Sequence, residues 1–244
     1  MAFSTEHDSL EPYQHEGSNL YGRRKGKKLR QYHEELVEHL LPKLRLNVAE
    51  KLDISGRNPA KSRTFAANCT SFQLEIGFGG AEHLISQAKL NPDVGYLGCE
   101  PFINGVAKAL AAIDGEHIDN IRLYDGDAAL LLNQLPDACL ERVYLLYPDP
   151  WPKRRQRKRR FVSAENLARI ARVLKPGCEL RFATDIDDYA GWTLARILAG
   201  SDFIWQPKNS DDWQKPWEGW QSTRYEEKAF REGRVPAYFR FVRV

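Results

Sequence analysis

An α/β fold on an open, mostly parallel sheet is what this sequence predicts, with helices on both faces. Two short apolar runs, SFQLEI at 71–76 and VYLLY at 143–147, are the pattern of strands buried on both faces. Such strands alternate with stretches of helical periodicity at 81–90, 161–174 and 189–198, as crossover connections require. Acidic residues recur at or beside the strand ends: Glu75, Glu100, Asp127, Asp149 and Asp185. Open α/β sheets bind ligands at the carboxyl ends of their strands, so this series marks one edge of the sheet as functional.

The 244 residues, 42% of them hydrophobic, suffice for one large domain with additions. The sequence divides into a flexible N-terminal extension over 1–60, carrying a basic arm, and a catalytic-type domain over 61–244. Residues 1–20 are polar, acidic and aperiodic, the composition of a disordered tail. Residues 21–30, YGRRKGKKLR, set six cations and two glycines into a flexible arm of the kind that orders on a partner. Leucines and valine at 36, 37, 40 and 41 predict a short helix over 29–41, stopped by Pro42.

The first strand, 71–76, runs into Gly77, Phe78, Gly79 and Gly80 and then a helix, the parts that bring backbone close to a ligand. The turn departs from the dinucleotide fingerprint because its third glycine is missing. A second strand over 95–99 ends at Glu100, the position at which a carboxylate meets ribose hydroxyls, and a third over 121–124 leads to Asp127. Carboxylates at these three ends suit a ligand bearing ribose, an adenine amine and an ammonium, and do not suit a pyrophosphate. That favours S-adenosyl-L-methionine over NAD.

The fourth strand, 143–147, ends at Pro148. Three prolines at 148, 150 and 152 stiffen a tip that presents Asp149 and Trp151. Seven of the eight residues from 153 to 160 are cationic, Gln156 being the exception. So dense a run repels itself unless an anion such as a phosphate backbone compensates it. A base-sized pocket beside a nucleic-acid clamp follows. The chain continues with a helix over 161–174 ended by Lys175, Pro176 and Gly177, a fifth strand over 179–183, and a helix over 189–198. The last strands, 203–206 and 238–244, are joined by a long insert containing Trp213, Trp217 and Trp220. Within it TRYEEKAF, 223–230, is helix-prone, with Gly233 as its stop.

Net charge is only +3, so the positive charge is local rather than global. Cys69, Cys99, Cys139 and Cys178 are widely spaced with no CxxC pair, which argues against a zinc site or disulfide framework and for buried free thiols. No apolar run approaches the roughly 18 residues of a membrane span and no signal-peptide core is present, so a cytoplasmic protein is expected.

With LEIGFGG, PDPWPKRRQRKRR and TRYEEKA in view, the sequence from about residue 63 to 244 resembles the bacterial tRNA (guanine-N7)-methyltransferases of the TrmB family. The resemblance implies a Rossmann-like class I methyltransferase fold with a seven-stranded, mostly parallel sheet. It also implies S-adenosyl-L-methionine as cofactor, S-adenosyl-L-homocysteine as product, and as substrate the variable-loop guanosine at tRNA position 46. Carried over residue by residue, it makes Asp149 the catalytic acid and puts Glu75, Gly77, Gly79, Glu100, Asp127 and Asp149 at the cofactor. Lys153, Asp185, Thr223, Arg224, Tyr225 and Glu226 become substrate contacts. Arg154, Arg155, Gln156, Arg157, Lys158, Arg159 and Arg160 become the RNA-contacting run. Beyond tRNA the expected partners are few: no membrane, no metal, and a monomer or homodimer without an obligatory protein partner. Rival readings are a methyltransferase of an exocyclic base amine, a small-molecule methyltransferase, and an RNA-binding protein without catalysis. The second proline of an amino-methylating loop falls here after Trp151, and a small-molecule enzyme leaves the basic run unexplained.

Overall fold

A computed structural model describes residues 21–48, 52, 54 and 69–244. Expectations for the tail at 1–20 lie outside the described residues. Seven strands form one sheet: β1 (Ser71–Ile76), β2 (Val94–Cys99), β3 (Ile121–Tyr124), β4 (Leu140–Leu146), β5 (Leu174–Thr184), β6 (Phe203–Ile204) and β7 (Ala237–Arg243). Their order across the sheet is β3-β2-β1-β4-β5-β7-β6. The first five run parallel, while β7 is antiparallel to both β5 and β6. The sheet reverses its direction of growth between β1 and β4, the point beyond whose strand ends open α/β sheets bind their ligands.

The helices, in chain order, are α1 (Gln31–His39), α2 (Leu41–Leu44), α3 (Glu82–Leu90), α4 (Ile103–Gly115), α5 (Ala128–Gln134), α6 (Ala164–Val173), α7 (Asp187–Ala199), α8 (Asp211–Gln214) and α9 (Arg224–Arg231). Alternation along the strands sorts the core into two faces. Leu74, Leu97, Val143, Leu145, Leu180 and Phe182 pack against the apolar sides of α5, α6 and α7. On the other face Tyr96, Ile121 and Leu123 pack under α1, α3 and α4, and Tyr144, Ala183 and Tyr238 pack under Trp217 and Trp220. The tryptophan-rich insert thus covers β4, β5 and β7 on this face. Gly98 lets α3 sit close, since a Cβ there would meet Leu84 at 2.7 Å and Phe78 at 2.9 Å.

Four expectations need correction. The single helix over 29–41 is two, because Pro42 lies in the first turn of α2, where its missing N–H costs nothing, instead of ending α1. Residues 31–46 are not a flexible extension: Leu36, Leu41 and Leu46 are buried, and the Leu46 N–H donates to the Leu123 carbonyl at 2.8 Å. The helix ends before 175–177 as expected, but the following strand starts earlier than 179: β5 begins at Leu174, paired with Leu140, and after a register irregularity resumes pairing with β4 at Glu179 opposite Arg142. Only Cys99 is fully buried, the other three thiols being partly buried; all four are free, and burial pushes the Cys139 thiol up to about 12. Among the described residues no helix is long and apolar enough to cross a membrane.

Phe182 is fully buried near the carboxyl end of β5, whereas Leu198 on α7 is 67% exposed. Phe182→Ala should cost about 3–5 kcal/mol in urea unfolding, and Leu198→Ala about 0.5 kcal/mol or less.

Candidate active site

Glu75 is the penultimate residue of β1 and faces the same side of the sheet as Gly98 and Tyr144, its register partners. It is buried, and its Oε2 lies 2.7 Å from Nδ1 of the equally buried His83 in the first turn of α3. The chain then turns through Gly77 (φ +73°), Gly79 (φ +56°) and Ala81 (φ +68°). Such left-handed backbone is free for glycine and costs alanine about 1–2 kcal/mol.

Glu100, one residue beyond β2, holds this turn from the other side. Its Oε2 accepts the Gly79 N–H at 2.7 Å and its Oε1 the Phe102 N–H at 2.9 Å. One carboxylate thus ties the glycine turn to the start of α4. Burial lifts the Glu100 carboxyl above the ordinary glutamate range; the two amides oppose this, and the charges of Asp149 and Glu75 add to it. The turn and α4 nearly touch: a Cβ on Gly105 would come 2.3 Å from the Gly79 carbonyl oxygen. Asp127, in the connection after β3, accepts the Ala129 N–H at 2.9 Å and caps α5.

The proline tip follows β4. Asp149 is exposed, between Tyr147 at φ +49° and Trp151 at φ +43°. Left-handed conformations at non-glycine residues persist only where their surroundings impose them. At one end the Tyr147 N–H donates to the Ala183 carbonyl at 2.8 Å and the Tyr147 hydroxyl to Glu226 at 3.3 Å. At the other, Arg160 Nε donates to the Pro150 carbonyl at 2.7 Å. Arg160 is 3% exposed, lies over the rings of Tyr189 and Trp192 at 4.8 and 5.0 Å, and pairs with Asp188. The tip is clamped from both sides. Surrounding protein lifts the Asp149 carboxyl above the usual aspartate range.

Helix α9 leans over the same cleft. Thr223 is its N-cap, accepting the Glu226 N–H at 3.3 Å. Tyr225 is 45% exposed and its ring covers the glycine turn, within 3.0 Å of where a Gly79 Cβ would stand. Burial raises its hydroxyl pKa, helped by the negative charges of Glu100 and Asp149. Arg224 pairs with Glu82. Glu226 turns the other way: 3% exposed, it accepts from Trp220 Nε1 at 2.9 Å and from the hydroxyls of Tyr147 and Tyr238. Asp185 accepts from Arg234 Nε at 2.6 Å.

The structure therefore divides the residues expected to act. Gly77, Gly79, Glu100, Asp149 and Tyr225 meet at one cleft, with Glu75 beneath it. Glu226 and Arg160 do not fit the substrate and RNA contacts expected of them, since both are buried and committed to the scaffold. The basic run is a 3₁₀ turn over Arg154–Arg159. Lys153, Arg154, Arg155 and Lys158 are exposed, Gln156 is half-buried, and Arg157 pairs with Asp188 at 2.7 Å. Arg159 lies 5.0 Å over the Trp151 ring, so the indole packs within the loop. Sequence reasoning missed His83, Tyr147, Trp220 and Tyr238. Only Thr223-x-x-Glu226, with the spacing of a capping box, signalled that this glutamate could serve structure. An acid-lined crevice over a glycine turn suits a ligand with hydroxyl donors and positive charge, and repels a pyrophosphate.

Residues 70–238 match the model of a family described as putative methyltransferases. The chain is 52% identical over 226 residues to the tRNA (guanine-N(7)-)-methyltransferase of Chelativorans sp. (strain BNC1), spanning 92% of this chain and 95% of that one. It is 53% identical over 228 residues to the protein of the same name from Brucella anthropi, spanning 92% and 94%. Among solved structures, the 16S rRNA methyltransferase KamB superimposes with TM-score 0.54 at 15% identity over 77% of this chain and 94% of its own. TrmN from Thermus thermophilus does so with TM-score 0.51 at 13% identity, over 73% and 45%. At these identities the structural likenesses concern the fold alone.

Gly105→Ala should force α4 away from the Gly79 carbonyl and destabilise the protein by about 1–3 kcal/mol in chemical unfolding. Gly115→Ala, where a Cβ meets nothing within 4 Å, provides the comparison and should leave the midpoint near or above that of the parent.

Proposed function

The chain belongs to the tRNA (guanine-N(7)-)-methyltransferase family, and from that footing we propose that it transfers a methyl group from S-adenosyl-L-methionine to N7 of the variable-loop guanosine, position 46, of tRNA. The observation that carries the reading is Asp149, exposed on a doubly clamped tip between an acid-lined glycine turn and a run of cations.

The residues present fit the cofactor. The close approach of Gly105 to the Gly79 carbonyl brings backbone of the turn and of α4 together at the cleft, where a Cβ on Gly105 would come 2.3 Å from that oxygen. Glu75, Glu100 and Asp127 stand near the ends of three adjacent strands, as a ribose, an ammonium and an adenine amine would require. When bound, S-adenosyl-L-methionine supplies an electrophilic methyl group on a sulfonium. Glu100 holds its ligand while its own oxygens brace the turn, so the carboxylate is placed before any ligand arrives.

Guanine N7 offers a lone pair and carries no proton, so no general base is needed and alignment dominates. Holding two reactants in line is worth roughly 7 kcal/mol or more. Asp149 serves that end by accepting from guanine N1 and N2, and its negative charge stabilises the cation that N7 alkylation creates. Tyr225, over the glycine turn, offers a flat ring to the base. Lys153, Arg154, Arg155 and Lys158, all exposed, meet phosphates and position the RNA without reading its sequence. Thr223, capping α9, and Asp185, paired to Arg234, hold the elements that carry these groups.

Incubating the protein with labelled S-adenosyl-L-methionine and unmodified bulk tRNA, followed by nucleoside analysis, should yield 7-methylguanosine. Label on any other nucleoside would overturn the assignment. Asp149→Ala should keep cofactor affinity and lower kcat about 10²–10³-fold; unchanged turnover would remove Asp149 from the mechanism. The sign of the pH effect follows from the surrounding protein, which desolvates the carboxylate. A carboxyl whose pKa is raised protonates at higher pH than a free aspartate, and the protonated form lacks the needed charge. The acid limb of kcat should therefore lie above the ordinary aspartate range, and a limb at or below about pH 4 would contradict it.

A further inference from the structure

Residues 21–30 carry Arg23, Arg24, Lys25, Lys27, Lys28 and Arg30 and no acid. All six cations are exposed, and none has an ion-pair partner among the described residues. A free arm with this composition would be unremarkable, as a solubilising tail. This one is tied down, contrary to the flexible arm expected from composition. The Ile103 N–H donates to the Arg24 carbonyl at 3.0 Å, at the start of α4. Asn104 then grips the next turn twice: its Oδ1 accepts the Gly26 N–H at 2.7 Å, and its Nδ2 donates to the Lys27 carbonyl at 2.7 Å. Behind the arm, α1 packs on α4, with Leu36 buried and the Tyr32 hydroxyl donating to Asp114 at 3.1 Å.

The other end reaches the proline tip. The Tyr21 ring meets Trp151 edge-on at 6.4 Å, and the Arg159 guanidinium lies 5.0 Å from each of the two rings. Between these anchors Gly22, at φ +131°, passes so close to the tip that a Cβ on it would stand 3.7 Å from Asp149 Oδ2. The arm therefore runs across the mouth of the cleft, from the tip beside Asp149 to the end of the helix that Glu100 braces. Every anchor is a backbone group or the Tyr21 ring. None of the six charges takes part in seating the arm, and all six face solvent.

Holding these cations near Lys153, Arg154, Arg155 and Lys158 costs mutual repulsion, and among the described residues no ion pair to the six arm cations offsets it. We propose that residues 21–30 form the second jaw of an RNA clamp. The arm and the 153–159 turn bracket Asp149, and each grips backbone phosphates on its own side of the nucleotide presented to it. The occupant is a polynucleotide because the charges are spread along about ten residues of extended chain, matching a repeating anion better than a single phosphate. This rests on the tRNA methyltransferase reading for the identity of the RNA, although the binding measurement below stands apart from turnover.

The test is the salt dependence of binding to unmodified bulk tRNA by the full chain. Each phosphate contact contributes about 0.7–0.9 to the slope of log K against log salt. Replacing Arg23, Arg24 and Lys25 together by Ser leaves the carbonyl of residue 24 and the Tyr21 anchor in place. The slope should become shallower by about 2.1–2.7, so that between 50 and 200 mM salt the variant loses roughly 20- to 40-fold less affinity than the parent. Replacing three exposed lysines on other elements, Lys43, Lys208 and Lys215, removes the same charge and should leave the slope as it was. Tyr21→Ala keeps all six cations but unhooks the arm from the tip, and should weaken tRNA binding at fixed salt. An unchanged slope in the arm variant, or an equal change in both triple variants, would overturn the proposal. Absence of 7-methylguanosine from the parent enzyme, with the slopes behaving as expected, would instead refute the catalytic reading and leave the jaw standing. Unchanged cofactor affinity in the arm variant, measured by titration, would show that the loss is one of RNA contact; a matching loss of cofactor affinity would assign the arm to the cofactor and count against the jaw.

Discussion

The buried carboxylate of Glu226 is the contact on which the working end of the sheet depends. An ionised group inside a protein costs several kcal/mol unless donors replace the water it has lost. Here the donors come from three separate elements: Trp220 from the insert, Tyr147 from the end of β4 and Tyr238 from β7. Moving any one of them would leave the charge short of a partner, so the three elements and α9 share a single arrangement. Tyr147 lies two residues before Asp149, and its left-handed backbone is the strained start of the proline tip. The carboxylate thus fixes the tip without facing the cleft.

Other acids behave in the same manner. Glu100 braces the glycine turn through two amides, Asp127 caps α5, Glu75 is paired with His83, Asp185 with Arg234, and Asp188 with Arg160. Asp149 differs in standing on a tip whose neighbours on both sides are held, while its own carboxylate faces the cleft beside Tyr225 and Glu100. Groups fixed before a ligand arrives need no reorganisation when charge develops, which is where a preorganised site gains its advantage over water.

Much of this was legible in the sequence because the signals were local. Continuous apolar runs marked β1 and β4, the glycines after Ile76 marked the turn, and the prolines marked the tip. Where the deciding partner lay far along the chain, reading failed. Arg160 looks like its cationic neighbours, and only Asp188, Tyr189 and Trp192, some thirty residues on, bury it. Glu226 sits in a polar stretch, and its environment comes from β4, β7 and the insert. Helix α4 went unassigned because its sequence, INGVAKALAAIDG, is apolar almost all round and so lacks a polar face to set its period. The strand β5 was cut short because Pro176 and Gly177 are breakers that the irregular pairing with β4 tolerates.

The place of β7 between β5 and β6 bears on how the protein is made. A ribosome delivers β6 and the tryptophan insert before the strand that must slot between two others already built, so the sheet stays split while they wait. Tyr238, which Glu226 needs, arrives with that strand. Until then the first five strands can pair and the glycine turn can form, but the tip carrying Asp149 lacks one of its two supports. A nascent chain with its cationic surfaces already displayed would meet the abundant RNA around it while its reactive corner was still loose, and the corner sets only with the delivery of β7.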